Sequence, residues 1–407
     1  MEKIKTDEPS KLPLFVILFG SMFISGLVGN IQGVTYPLIK TEFDVSYEQQ
    51  GLMISLVSFG YMLWSLVGGI LLGVLGTKKT FTSGYVFLIL GLICIFFMPG
   101  FWSIAGAFLV IFAGFGLFSV SANALASQVF ITRTALFMNL MHFFYGAGSI
   151  LSPRIAGALS VSVGWRHVYI LYLPPVLLIL IFSSIARFPR QVKEAEGNGK
   201  PEIKKANFFT ALRTPMVWVF SLALGLMMTA EMSIISWAGL YFQDVYNLDP
   251  RIEVAAFISY FYILYTISRL LSGFVIEKVG YLRSLFVAVI ALAFILALGL
   301  FLGAAGIYVL PALGFFAAIL WPTLMAAAMV HFCEDAPVMT SAIIVVAGAI
   351  NSGIQYLIGL TNRLAGPAWG YRSILVYMVL IIAALALVNI GQRHAKTQRS
   401  KDRKDIR

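Results

Sequence analysis

LMMTAEMSIISWAGLYF, residues 226–242, decides how the rest of the chain is read. It lies in an apolar run that begins near Met216 and is long enough to cross a bilayer. A helix crosses a hydrocarbon core of about 30 Å with about 20 residues. In the middle of the run stands one acid, Glu231. An ionised carboxylate in hydrocarbon is costly, so such residues are rare and face a cavity or a partner. Glu231 is the one acid that falls well inside an apolar span, and Ser236, Trp237 and Tyr241 follow it. The pattern suggests a wet, shaped interior. The plainer reading is a protonated Glu231 bonded to a neighbouring helix for packing alone.

Composition points the same way. Of 407 residues, 59% are hydrophobic and 12% charged, and the mean hydropathy is +0.89. Soluble domains carry roughly 25% charged residues, so an integral membrane protein is expected. The apolar runs are continuous and not alternating, which selects helices over barrel strands. The first run is long and lacks a small-residue cleavage site, so no cleavable signal peptide is read there. Cys94 and Cys333 have neither disulfide nor metal-ligand spacing and read as small apolar residues.

Twelve spans are expected, near 12–37, 47–73, 80–99, 101–130, 135–160, 166–186, 215–242, 252–276, 283–304, 306–332, 338–362 and 371–392. The net charge of +11 is concentrated outside them. Residues 393–407 hold seven Lys or Arg against two Asp, and 187–213 hold seven against three Glu. A basic tail can bind nucleic acid, but on a membrane protein retention of Lys and Arg on the cytoplasmic side is the simpler cause. No nucleic-acid partner is expected. The same bias puts both termini in the cytoplasm of a cell membrane, with the connections after even spans. Lys78, Lys79, Arg133, Lys278 and Arg283 fall there, while Glu42, Asp44, Glu48, Asp244, Asp249 and Glu253 fall on the other side. The organisation reads as an N-terminus over 1–11, a six-helix bundle over 12–186, a linker over 187–213, a second bundle over 214–392 and a basic tail over 393–407. A short amphipathic helix is expected in the linker near Phe208 to Leu212.

An internal repeat supports the division. GGILLGVLGTKK, with Gly69 and Gly76, is matched 204 positions later by SGFVIEKVGYLR, with Gly273 and Gly280. Gly164-Trp165-Arg166 is matched 206 positions later by Gly370-Tyr371-Arg372. Two parallel halves imply a solute site between them near the midplane, reached alternately from either side.

These glycines and basic residues resemble the loop signature of the major facilitator superfamily, and the resemblance runs over essentially the whole chain. It implies a monomeric transporter of twelve helices in two pseudo-symmetric bundles. The signature wants an acid where Gly73 stands; the second copy keeps it as Glu277, with Arg269 before and Arg283 after. By resemblance, Gly69, Gly76, Lys78, Arg269, Gly273, Glu277, Gly280 and Arg283 form gating latches, with Glu277 and Arg269 supplying that of the second half. For Lys78 and Lys79 alone a short turn with retained charge is the plainer reading. NLMHFFYGAGSILSPRIAG (139–157), GFGLFSVSANAL (114–125) and GFFAAILWPTLMAA (314–327) resemble the fucose/glucose-proton symporter branch and its bacterial relatives.

In that family spans one, four, seven and ten line the cavity, with five, eight and eleven beside it. The template offers Asn30, Gln32 and Tyr36 on span one, Asn123 with Ser119 on span four, and Asn139 and Tyr145 on span five. It adds Trp237 on span seven, Trp321 and Thr323 on span ten, and Asn351 and Gln355 on span eleven. Amides, hydroxyls and aromatic faces suit a sugar or another polyol. Hydrogen bonding between helices is the competing use. Coupling needs a group that changes protonation between two states, which a buried carboxyl can do near neutral pH. Glu231 is the first choice, with protons or Na+ as the ion. His142 is the second, since imidazole titrates near neutrality, although a lone His is more often a satisfied hydrogen-bonder. Arg154 can snorkel to the interface, pair with Glu231, or bind an anionic solute.

The expected activity is therefore proton-coupled movement of a small, sugar-like solute. The alternative is efflux of drugs or organic anions, for which the chain's 15 Met and 33 Phe are the argument. A transporter-like sensor is a third reading, and it usually carries an added soluble domain. No phosphate loop, metal-ligand cluster or nucleophile–base arrangement is legible, so no cofactor, metal or enzymatic activity is implied.

Overall fold

The computed structural model describes residues 12–131, 134–189 and 208–405. Most of the linker therefore lies outside the described residues. Among the described residues, ten stretches are long and apolar enough to cross a membrane. One of them, Tyr47–Phe97, has 51 residues, roughly 76 Å at 1.5 Å per residue. That is more than twice a hydrocarbon core, and the helix reverses at Gly76, where φ is 79° and ψ 170°. Thr134–Ser162 is span five. It is more polar than the others, and it completes twelve.

Gly76, Gly164, Gly280 and Gly366 share one backbone conformation, with φ between 79° and 92°. Each joins two antiparallel helices with almost no connecting residues, which a side chain at such φ would oppose. Gly76 and Gly280 are the pair expected from the repeat. The conformational match of Gly164 is Gly366 and not Gly370, which lies inside the last helix, Pro367–Asp405. The short helix expected at the end of the linker is Phe208–Ala211.

Four spans are broken where the sequence reads continuous helix, among them span six at Tyr172, between Trp165–Leu171 and Leu173–Ile185. Span one is Leu12–Gly29 followed by Gln32–Phe43, with Asn30 and Ile31 at the break. Span seven is Pro215–Ser236 followed by Ala238–Tyr246, with Trp237 at the junction. Span ten begins with tight turns over Gly303–Tyr308 and Leu310–Ala312 before Leu313–Ala317 and Leu320–Phe332. Breaks free backbone groups and are tolerated at membrane depth where protein or a cavity receives them. The breaks in spans one, seven and ten fall on spans expected to line the interior; the break in span six, before Pro174 and Pro175, does not.

The halves meet closely at one face. A Cβ on Gly51 would come within 2.7 Å of Gly359 Cα, and one on Gly33 within 2.9 Å of the Ile235 carbonyl. Polar ties cap this face. Tyr47 donates to Asp244 at 2.5 Å, Lys40 lies 3.7 Å from the same carboxylate, and Gln243 donates to Thr41 at 3.3 Å. Glu48 accepts from Tyr356 at 2.8 Å and pairs with Arg363. At the opposite face, which carries Lys78, Lys278 and Arg283, a Cβ on Gly69, Gly73, Gly273 or Gly280 would meet nothing within 4 Å. The protein is shut at the acidic face and open at the basic one.

Candidate functional site

Between the halves lie two lobes of about 520 and 360 Å³ that share Gly29, Tyr61, Tyr145, Glu231 and Met232 in their walls. Glu231 projects into both from the last turn and a half before the break at Trp237. Its Oε1 accepts a hydrogen bond from Tyr265 at 2.7 Å. The same phenol accepts from Arg269 Nη2 at 2.6 Å, one helical turn further along span eight. Arg269 Nη1 lies 3.2 Å from His142 Nδ1 on span five. A guanidinium, a phenol and a carboxyl group thus stand in series across spans eight and seven, with an imidazole from the other half at the far end. Hydrogen bonds to charged groups are the stronger kind. Among the described residues Glu231 is the one acid in the wall of either lobe.

Asn30 ties the other side of the site. The break in span one turns its amide toward span five, where Nδ2 lies 2.9 Å from Ser149 Oγ and 3.2 Å from Tyr145 OH. Nδ2 also lies 3.0 Å from the Gly26 carbonyl, and Oδ1 accepts from Tyr262. Tyr262, Tyr265 and Arg269 are spaced i, i+3, i+7 and form one stripe of span eight. That stripe bonds the other half at two points, Asn30 and His142.

The remaining expected residues divide. Gln32, Tyr36, Tyr145 and Asn351 line the larger lobe, and Asn123, His142 and Trp321 the smaller. Asn123 and Tyr36 make no hydrogen bond among the described residues, and Gln32 Nε2 is buried without a partner. Asn139 and Thr323 line neither lobe. They face a side cavity of about 360 Å³ that reaches Gly273 and Glu277 and shares His142, Arg269 and Trp321 with the smaller lobe. Trp237 and Gln355 also line neither. Trp237 is 1% exposed and donates to Gln355 Oε1 at 2.9 Å, while Gln355 Nε2 donates to Ser233 at 3.0 Å. Asn351 Oδ1 accepts from Thr229 at 3.2 Å. These amides serve the packing of spans seven and eleven, because a buried amide takes the nearest partner available.

Two charge pairings left open by the sequence are not made in this conformation, and Arg154 takes the exposed place that the snorkelling reading gives it. Arg154 is not the partner of Glu231. It sits exposed on the outer side of span five, with its guanidinium 5.4 Å from the ring centre of Tyr260. Arg269 takes the inward role instead and does not pair with Glu277; Glu277 and Arg283 belong to none of the ion pairs among the described residues. Lys78 donates to the carbonyls of Ser184 and Ala186 at 2.6 and 2.9 Å, capping the end of span six within its own half. With Gly69, Gly76, Gly273 and Gly280 facing open space, any latch they make belongs to a state in which this face is shut.

Sequence reasoning missed Tyr262 and Tyr265 and placed Arg269 at the gate. The spacing of the three was legible, but Arg269 was absorbed into the loop signature that follows it.

A broken-helix cavity between two six-helix halves, with one acid in its wall, is the architecture of a secondary membrane transporter. The chain belongs to the Major Facilitator Superfamily, whose family model matches residues 18–355. A probable nitrate/nitrite antiporter, NarK1, of Thermus thermophilus is 27% identical over 70% of this chain and 65% of its own length. A hexuronate transporter of Bacillus subtilis is 26% identical over 46% of this chain and 45% of its own. The matches to the first curated relatives, these two among them, span 37% to 65% of those proteins' lengths. Among solved structures, a D-xylose-proton symporter superposes with a TM-score of 0.76 at 13% identity, covering 93% of this chain and 97% of that one. The fucose-proton symporter FucP in its outward conformation gives 0.63 at 17% identity, over 92% and 98%. At such identities these two structures show the fold alone.

Proposed function

We propose that the protein moves a small polar solute across the cell membrane by alternating access, in symport with protons, and that Glu231 carries the proton. The basic, open face is then cytoplasmic by the bias of Lys and Arg. Both termini lie on that side, the bundles divide at the linker 187–213, and the conformation is inward-open.

The Arg269–Tyr265–Glu231 series carries this reading. With Glu231 ionised, its charge compensates Arg269 through the phenol. Protonation removes that compensation and leaves a guanidinium in a low-dielectric site with no other acid, among the described residues, in the walls of the two lobes. The cost of that state is lowered by breaking the contacts of span eight with Asn30 and His142, or by admitting a solute that supplies the missing charge. Either event ties the proton to rocking of the halves.

Free groups in the walls, Gln32, Tyr36, Asn123 and Trp321, suit a hydroxylated solute of sugar size. A second reading, an organic anion such as a sugar acid, is favoured by Arg269 itself, and two relatives are named for nitrate/nitrite and hexuronate. Counterflow in proteoliposomes with hexoses and hexuronates separates the two. Hits confined to hydrophobic cations would favour drug efflux instead. In the Glu231→Gln variant, exchange should persist and proton-driven accumulation should vanish. Accumulation at the wild-type level would remove Glu231 from coupling.

A further inference from the structure

Outside the transport cavity, a groove of about 590 Å³ lies at the closed face, walled by span eight and the turns that open span ten. Ile252, Ala256, Tyr260 and Leu264 fall on one ridge of span eight at four-residue spacing. Ile307 and Pro311 form the facing wall. The ridge runs roughly 18 Å at 1.5 Å per residue, close to one leaflet's share of a core of about 30 Å. Tyr260 and Tyr308 are 53% and 83% exposed at its sides, as tyrosines at a membrane interface are.

Two charged side chains from different halves enter this apolar groove, Arg154 and Glu253. Neither belongs to an ion pair among the described residues. Arg154 lies over Tyr260. Glu253 Oε2 is buried with no hydrogen-bond partner. A buried carboxylate oxygen without a donor is costly, and the groove is where a donor can enter. Glu253 sits beside Ile252 at the outer end of the ridge and the Arg154–Tyr260 stack about two turns further in, so the order from outside inward is acid, cation, inner end of the ridge.

We infer that this groove binds one phospholipid with a primary ammonium headgroup, phosphatidylethanolamine, from the leaflet at the closed face. The ammonium donates to Glu253, the phosphate lies against Arg154, and one acyl chain follows the ridge toward Leu264. A choline headgroup keeps the charge but has no N–H to offer Glu253, so it satisfies the site poorly. Because Arg154 and Glu253 belong to opposite halves, the lipid bridges them in the conformation shut at this face.

The test is native mass spectrometry of delipidated full-length protein with dioleoyl-phosphatidylethanolamine, its N-methyl derivative and the matching phosphatidylcholine. Wild-type occupancy should fall stepwise with methylation, by several-fold overall. Glu253→Gln should erase the preference, and Arg154→Met should lower retention of all three lipids several-fold. Ile263→Trp, which fills the groove without touching a charge, should do the same in a protein whose thermal transition is unchanged. Equal retention of the two end members by the wild type, or a preference that survives Glu253→Gln, overturns the assignment. Displacement by soluble phosphoethanolamine as effective as by the lipid would also overturn it, since no acyl chain would then be bound.

Discussion

Arg269 and Glu231 are joined through one hydroxyl group: Tyr265 accepts from the guanidinium at 2.6 Å and donates to the carboxyl at 2.7 Å. A phenol has one proton to give. While it serves Glu231, the acid is an acceptor and its charge is felt by Arg269. Once Glu231 carries its own proton, the phenol is free to turn elsewhere, and the arginine loses its counter-charge. On the proposed reading, proton binding and the contacts of span eight with the other half depend on one another.

Replacing Tyr265 by Phe removes that link and leaves both charged groups in place. Hydrogen bonds to charged groups contribute about 1.5–3 kcal/mol, so coupling should weaken roughly tenfold to a hundredfold. The measurement compares proton-driven accumulation with solute exchange in proteoliposomes. Accumulation should collapse while exchange remains. Equal loss of both would show that Tyr265 acts on the solute and not on the proton.

Gln355 is expected to matter for stability and not for the solute. Gln355→Leu strands Trp237 Nε1, which now bonds Gln355 at 2.9 Å inside the second half. An unsatisfied buried donor costs about 1–3 kcal/mol, read as a lower thermal transition in detergent. The half-saturation constant of counterflow should not move. A several-fold change there at unchanged stability would put Gln355 back into the solute site.

At the closed face, Asp244 receives Tyr47 and Lys40, and Glu48 receives Tyr356 and Arg363. Exposed ion pairs contribute little, because water and salt screen them. The Glu48→Gln, Asp244→Asn double variant should therefore shift, but not invert, the balance of states. Spin labels across this face should show a several-fold larger population at long distance. An unchanged distribution would mean that the backbone contacts, and not these ties, hold the face shut.

Those backbone contacts make a sharper prediction. A Cβ on Gly51 would collide with Gly359 across the two halves, so Gly51→Leu should exclude the present conformation and arrest transport with the protein still folded. Labelling of a cysteine placed at Gln243, which lies on the closed face, should become fast. Wild-type transport by Gly51→Leu would show that the halves need not approach this closely during the cycle.

Much of this was available from the residues in order. Length and continuity of the apolar runs determine twelve helices, because a bilayer leaves an exposed backbone no other way to satisfy itself. Glu231 was legible as a candidate because a carboxylate in a greasy helix is costly and needs a cavity or a partner. The repeat of Gly76 as Gly280 declared two halves, since a reversal at positive φ is tolerated best by glycine. What stayed hidden was every matter of partnership. Arg154 and Arg269 look alike in sequence, each a lone cation near the end of a span, and rotation about the helix axis sends one to the surface and the other toward the cavity and His142. Gln355 and Trp237 have the chemistry of solute ligands, yet hydrogen bonds are short-range and each bonds what the packed bundle brings within about 3 Å. The chain order determined which chemistry is present in the membrane; only the angle and depth at which the helices pack decided which groups still have a free hand toward the cavity.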